Sequence, residues 1–203
     1  MSKWIITPDK YLTEGEVRKI KKVCEEAALI ARSRGNQFPV RDQLIIETAL
    51  GTGLRVSELS YLKIADLHLK KGQNSLTVQN GKGGKIRVVM FSAKLKNLIL
   101  EYLNYRTTLS EYLFSSERGA QITRSGLQQV FKKWAGKAEL SSHYSIHSLR
   151  HTYATNLYKA SGYNLRMVQQ QLGHSSPTTT SVYSAVINSD LEKAVEHLDI
   201  GAE

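Results

Sequence analysis

His147-Ser148-Leu149-Arg150-His151, Leu172-Gly173-His174-Ser175-Ser176-Pro177 and Val182-Tyr183-Ser184 punctuate the stretch 147–183, whose reading decides the fold. His147 and Arg150 stand three apart, so on a helix they share a face, while Leu149 turns toward the core. Leu165 to Leu172 reads as a short helix with Gly173 as its C-cap. Ser176-Pro177 then supplies an N-cap and an N1 proline for the helix that carries Tyr183. Far upstream, Thr52-Gly53-Leu54-Arg55-Val56-Ser57-Glu58-Leu59 opens a third short helix, which reaches Tyr61. Arg55 and Glu58 lie one turn apart there. A planar guanidinium suits a phosphate, and a carboxylate can hold it from behind.

Outward from these stretches the pattern is mostly helical. Thr13-Glu14-Gly15-Glu16 is a capping box, and Val17, Ile20, Cys24, Ala27 and Ala28 follow at helical spacing to about Arg32. Arg34 to Gln37 reads as a loop, and a second helix covers roughly Arg41 to Leu50, broken by Gly51 and Gly53. The period then changes. Asp66 to Leu69, Ser75 to Gln79 and Ile86 to Phe91 read as strands of one small antiparallel sheet, joined by turns at 71–74 and 80–85. Helices resume behind Ser92, with Leu95, Leu98, Ile99 and Tyr102 on one face. Another follows Thr123, with Leu127, Val130, Phe131 and Trp134 inward. Tyr112 to Phe114 is an extended link between them, and a further helix spans Ile146 to Lys159. The fold class is mainly α with a small antiparallel β-sheet (α+β). No Pro/Gly linker divides the 203 residues, so the chain reads as a single domain: 1–11 a leader or linker, 12–184 the core, and 185–203 a tail helix with Leu191, Ala194, Val195 and Leu198 on one side.

Composition narrows the partner. Lys and Arg total 28 against 18 Asp and Glu, a net charge of +10, which favours a polyanion. Cys24 is the only cysteine, which excludes an internal disulfide and a thiolate zinc cluster and suits a reducing cytoplasm. No apolar run approaches the roughly 20 residues of a membrane span, and the first ten residues lack a signal-peptide core. On charge alone the expected partner is nucleic acid ahead of a membrane surface, and the expected place is the cytoplasm.

The chemistry-bearing residues have ordinary readings as well. His147 and His151 have the i, i+4 spacing of a zinc helix, but no Glu follows His147 and Arg150 would crowd a cation, so no metal is expected. Lys82 sits in Gly81-Lys82-Gly83-Gly84-Lys85, which lacks the G-x-x-x-x-G-K-[ST] pattern of a phosphate loop. It is either a solvated basic turn or a mobile lysine carried to a scissile phosphate. Tyr183 is one of 10 tyrosines and is undistinguished by type alone.

Together the pieces resemble the tyrosine recombinase, or phage integrase, family. The match is T-G-L-R-V-S-E-L at 52–59, G-K-G-G-K at 81–85, H-S-L-R-H-T-Y-A-T at 147–155, L-G-H-S-S at 172–176 and V-Y at 182–183, with Leu12-Thr13-Glu14 at the usual start of that family's catalytic domain. Each motif is weak alone; five in order and spacing carry the resemblance across nearly the whole chain. It implies the DNA breaking-rejoining catalytic fold. It implies that Tyr183 attacks a DNA phosphodiester and forms a 3′-phosphotyrosyl link without metal, ATP or another cofactor. In that reading Arg55, Arg150 and His174 bind the non-bridging oxygens, and His147 assists proton transfer or holds the phosphate. Lys82 gives a proton to the leaving 5′-oxygen, Glu58 orients the site, and Lys85 and Arg87 contact DNA.

The family's separate N-terminal DNA-binding domain has no counterpart in the about a dozen residues before the capping box. The chain is therefore either an excised catalytic domain or a short recombinase of the phase-switch type. The resemblance also implies self-association, dimer to tetramer, on double-stranded DNA through the tail, against the plainer alternative of a tail packed on its own core. Site-specific recombination is the leading function. A type IB topoisomerase-like relaxase and a catalytically silent DNA-binding regulator are the alternatives.

Overall fold

The computed structural model describes residues 8–79 and 86–173. The turn at 80–85 and everything after Gly173, including the helix expected behind Ser176-Pro177 and the tail helix, lie outside the described residues. The chain runs as helices α1 (Glu14–Ser33), α2 (Gln37–Thr52) and α3 (Val56–Tyr61), strands β1 (Leu67–His68), β2 (Ser75–Val78) and β3 (Arg87–Met90), then helices α4 (Ala93–Tyr105), α5 (Arg124–Lys137), α6 (Ile146–Ala160) and α7 (Leu165–Leu172). This is the expected mainly α fold with one small sheet.

Local signals explain most of the boundaries. Thr13 Oγ1 accepts from the Glu16 N–H, and Glu16 Oε2 accepts from the Thr13 N–H at 2.8 Å, so the capping box starts α1 as read. Ser92 and Thr123 cap α4 and α5 by accepting from Leu95 N–H and Gly126 N–H. Gly173 closes α7 in the left-handed region at φ 66°.

The helix α2 differs from the sequence reading at both ends. It begins at Gln37, where the Asn36 side chain accepts from the Phe38 N–H at 3.0 Å, and Pro39 falls in the first turn, where its missing N–H is tolerated. It runs through Gly51 to Thr52. Its start is hard to read because α2 is the central helix, packed by α1, α4, α5 and α6, and is buried on almost every side, so it shows no amphipathic stripe.

The main core joins Ile20, Cys24 and Ala28 of α1 with Leu44, Ile45 and Ile46 of α2, Leu95 and Ile99 of α4, Leu127, Phe131 and Trp134 of α5, and Leu149 of α6. Leu76 and Val89 close it from the sheet. The sheet is antiparallel in the order β1-β2-β3, with Leu67 opposite Leu76 and Leu76 opposite Val89. Side chains alternate along β3: Val89 is buried and Val88 and Met90 are exposed, so Arg87, two residues before Val89, shares the inner face. A smaller cluster of Ala154, Tyr158, Val168 and Leu172 joins α6 to α7, with Tyr11 packed against it. The Leu12 N–H donates to Thr152 Oγ1 at 2.9 Å and His143 Nε2 donates to the Asp9 carbonyl, so residues 8–12 lie against the α6 end of the molecule. No helix among the described residues is long and apolar enough to cross a membrane.

One buried ion cluster pins α2 to α5. Asp42 Oδ1 takes the Arg41 guanidinium at 2.7 Å, and Asp42 Oδ2 accepts from Trp134 Nε1 at 3.0 Å and Lys133 Nζ at 3.2 Å. The remaining Arg41 Nη1 donates to the Ser115 carbonyl at 2.7 Å. Removing one partner of such a pair leaves an uncompensated buried charge. Asp42→Ala is therefore expected to lose about 3–5 kcal/mol of stability, read from urea unfolding; a midpoint equal to that of the unaltered protein contradicts this role.

Candidate functional site

The motifs at 52–59 and 147–151 meet at Glu58. The α2 helix ends in Gly53, whose φ of 61° is left-handed and turns the chain sharply into Arg55. A Cβ at Gly53 would sit 2.3 Å from Tyr153 Cδ1 and 2.8 Å from Leu172 Cδ2, so glycine is also what lets α6 and α7 close on this turn. Arg55 is the N-cap residue of α3, and Glu58 lies at the third helical position. Glu58 Oε2 accepts from the Arg55 backbone N–H at 2.8 Å, and Oε1 accepts from Arg55 Nη1 at 2.7 Å. The carboxylate thus caps its own helix and grips the guanidinium of the cap residue.

Two further arginines arrive from other elements. From the inner face of β3, Arg87 donates Nη1 to Glu58 Oε1 and Nη2 to Oε2, each at 2.8 Å, a bidentate fork. From α6, Arg150 Nη1 lies 4.0 Å from Glu58 Oε2, with Nη1 donating to the Gly53 carbonyl and Nη2 to the Leu172 carbonyl at 3.1 Å. Arg87 Nε donates to the Gln171 carbonyl at 3.1 Å. The last carbonyls of α7 therefore end against two guanidiniums, where the helix dipole favours positive charge. The Glu58 side chain is 3% exposed, against 11% for Arg87 and Arg150 and 23% for Arg55, so the cluster opens to solvent on the Arg55 side.

Burial alone would raise the Glu58 carboxyl, but the hydrogen bonds from Arg87 and from the Arg55 backbone, the charge of Arg87 and the Arg55 side chain overcome it and hold the pKa at about 2. The carboxylate is ionised throughout the physiological range. Three guanidiniums on one carboxylate leave positive charge in excess, which suits an anion with several oxygens. His147 lies one turn before Arg150 on α6 and is exposed; crowding by the protein and the charge of Arg150 lower its pKa. His151 is held at about 4 by burial first, then by Arg150, His147 and Lys10. Both imidazoles are therefore neutral at pH 7, and a neutral exposed His147 can accept a proton.

Of the residues singled out in the sequence, the structure brings Arg55, Glu58 and Arg150 together and places His147 on the helix of Arg150. Lys82, Lys85, His174 and Tyr183 lie outside the described residues. Arg87, expected as a DNA contact, has all three guanidinium nitrogens on Glu58 and the end of α7. Its place was visible in the period-2 alternation with Val89; its partner, 29 residues away, was not. Among the described residues no group of three or more His, Cys, Asp or Glu could hold a metal ion.

Comparison with known proteins agrees with the motifs. A model described as the phage integrase family matches residues 10–189. The tyrosine recombinase XerA of Pyrococcus furiosus is 37% identical over 197 residues, covering 96% of this chain and 63% of the relative. The tyrosine recombinase XerC of Vibrio cholerae serotype O1 is 34% identical over 166 residues, covering 80% of this chain and 52% of the relative. Among solved structures, the XerA recombinase superposes with a TM-score of 0.74 at 28% identity, covering 92% of this chain and 64% of that one. XerH, bound to its palindromic difH substrate in a post-cleavage complex, superposes with a TM-score of 0.76 at 28% identity, covering 93% and 53%. The chain thus spans between half and two thirds of these proteins.

The low pKa of Glu58 has a measurable consequence. Its folded value of about 2 lies below the ordinary 4.5, so its contribution to stability is complete above pH 4.5 and is lost as the pH falls toward 2. In Glu58→Gln the urea midpoint is expected to be lower at neutral pH but flatter between pH 4.5 and 2 than in the unaltered protein. Parallel pH profiles for the two proteins contradict the assignment.

Proposed function

The chain belongs to the phage integrase family, and from that membership we propose that it cleaves and rejoins DNA strands through Tyr183, as the catalytic part of a site-specific recombinase. The observation that carries this reading is the meeting of Arg55 and Arg150 at one carboxylate, Glu58, from helices nearly a hundred residues apart. Two guanidiniums held in fixed relation are a receptor for a tetrahedral anion whose charge grows during reaction.

The proposed step is the one that family membership implies for these residues. The Tyr183 oxygen attacks the phosphorus of a DNA phosphodiester and the bond from phosphorus to the 5′-oxygen breaks. The phenolic proton passes to His147, neutral at pH 7 and able to take it. Lys82 donates a proton to the leaving 5′-oxygen. A phenol of pKa ~10 is a weak nucleophile, so most of the rate comes from stabilising the pentacoordinate phosphorane. Arg55, Arg150 and His174 do this at the non-bridging oxygens, supplying the positive charge that a metal ion supplies in many phosphoryl-transfer sites. The phosphotyrosyl bond keeps the energy of the diester, so a 5′-hydroxyl from either strand can reverse the step without ATP.

Residues 12–184 are the catalytic core in this reading, and 185–203 form the tail through which copies of the chain associate on double-stranded DNA. Lys85 makes a phosphate contact beside Lys82. The relatives named for recombination, and the solved complex of XerH with its DNA substrate, support this assignment by analogy.

A nicked suicide duplex tests it, because strand loss after cleavage traps the covalent form. The protein is expected to give a denaturant-stable adduct in the presence of a metal chelator, and Tyr183→Phe to give none. Arg150→Ala is expected to slow adduct formation by about 10²–10³-fold. An adduct formed equally well by Tyr183→Phe contradicts the nucleophile. The absence of any adduct on a recombination site that the protein binds supports a silent DNA-binding protein instead.

A further inference from the structure

Three segments that frame the proposed site are separate in the chain: the start of α3 with Arg55 and Glu58, the start of β3 with Arg87, and the end of α7, two residues before His174. Resting on the reading above, we propose that Arg87 is a positioning residue that locks these three segments to one another through Glu58, and is not a DNA contact.

The geometry is specific. Arg87 begins β3 and is thereby fixed to the hairpin, with Val78 of β2 as its cross-strand partner. Its Nη1 and Nη2 both reach Glu58 at 2.8 Å, and its Nε reaches the Gln171 carbonyl at 3.1 Å. Gly173 seats against its stem, since a Cβ there would lie 2.7 Å from Arg87 Cδ. The side chain is 11% exposed. At the far end of β3, Gln171 Oε1 accepts the Met90 N–H at 3.1 Å, a second tie between β3 and α7. A guanidinium sets two parallel donors on a carboxylate and an Nε donor on a carbonyl in one rigid plane, a fork that the rotatable donors of an ammonium do not provide.

Glu58 in turn decides where the Arg55 guanidinium lies. Among the described residues, the charged groups that face Glu58 are Arg55 from α3, Arg87 from β3 and Arg150 from α6, and α7 contributes carbonyls to the two arginines beside it. With Arg87 removed, Glu58 keeps Arg55 at hydrogen-bond distance and Arg150 only at 4.0 Å. Its buried carboxylate then has one Coulombic clamp fewer, its pKa rises, and the end of α7 loses one of its two cations. The expected defect is therefore in the chemical step and not in the grip on DNA.

The test compares Arg87→Gln, Arg87→Lys, Glu58→Gln and the double variant Glu58→Gln/Arg87→Gln. Cleavage of the nicked suicide duplex is measured under single turnover at saturating DNA, and duplex affinity by fluorescence anisotropy over a range of salt. Arg87→Gln is expected to slow cleavage by on the order of 10²-fold, with affinity and its salt dependence unchanged and with the acid limb of the rate profile moved to higher pH. Arg87→Lys, which keeps the charge and loses the fork, is expected to fall between. The double variant is expected to be no slower than the slower single variant, because both changes break one linkage.

Independently of activity, the carboxyl carbon of Glu58, followed by NMR in 13C-labelled protein without DNA, is expected to titrate at higher pH in Arg87→Gln than in the unaltered chain. The proposal is overturned if Arg87→Gln cleaves at the normal rate at saturation but binds more weakly with a salt slope shallower by about 1. It is equally overturned if the losses are additive or the Glu58 titration does not move. If the unaltered chain forms no adduct, the proposed function fails, while the Glu58 titration still decides whether Arg87 holds it. If Arg87→Gln does not fold, Arg87→Lys and the double variant, which leaves no unpaired carboxylate, carry the same comparisons.

Discussion

A carboxylate that is almost entirely removed from water must be satisfied, and Glu58 is satisfied by three arginines and a backbone N–H. That requirement organises the molecule around it. Each guanidinium that answers it comes from a different element, so the elements meet only in one arrangement. A buried ion cluster of this kind adds little net stability over a well-packed apolar core, but breaking it in part leaves a stranded charge. The same asymmetry makes it a good device for alignment. The arginines are held where they are because the alternative is a buried anion without partners.

The fold supplies the approach. Left-handed glycines at 53 and 173 end α2 and α7 abruptly, so both helix ends reach the cluster without side chains between them. The α7 dipole then meets Arg87 and Arg150 at its negative end. The pleat of β3 turns Arg87 inward with Val89, and the burial of Leu149 fixes the rotation of α6 that presents His147 and Arg150. Elsewhere the buried Asp42 set with Arg41, Lys133 and Trp134 repeats the principle at the α2–α5 contact.

Local signals in the sequence reached far. The capping box at Thr13, the hydroxyl caps at Ser92 and Thr123 and the Gly173 cap act within one turn of helix, so they are legible without knowing what lies across the core. The strands were legible from their period. What the sequence hid was long range. Uniform burial erased the amphipathic stripe that marks the start of α2. Arg87 looked like one more basic residue near a Gly-rich turn, because nothing local names Glu58 as its partner. Arg55 and Arg150 were legible because their motifs carry the resemblance, yet their meeting at one carboxylate became visible only in the fold.

The central claim is that Glu58 aligns Arg55 and Arg150 as a receptor for one DNA phosphate. A crystal structure of Tyr183→Phe bound to its recombination site measures this most directly. The claim predicts one phosphate whose non-bridging oxygens accept from both Arg55 and Arg150, with Arg87 still forked on Glu58 and touching no phosphate. A scissile phosphate that lies away from these two guanidiniums, or Arg87 released from Glu58 onto the DNA backbone, would contradict it.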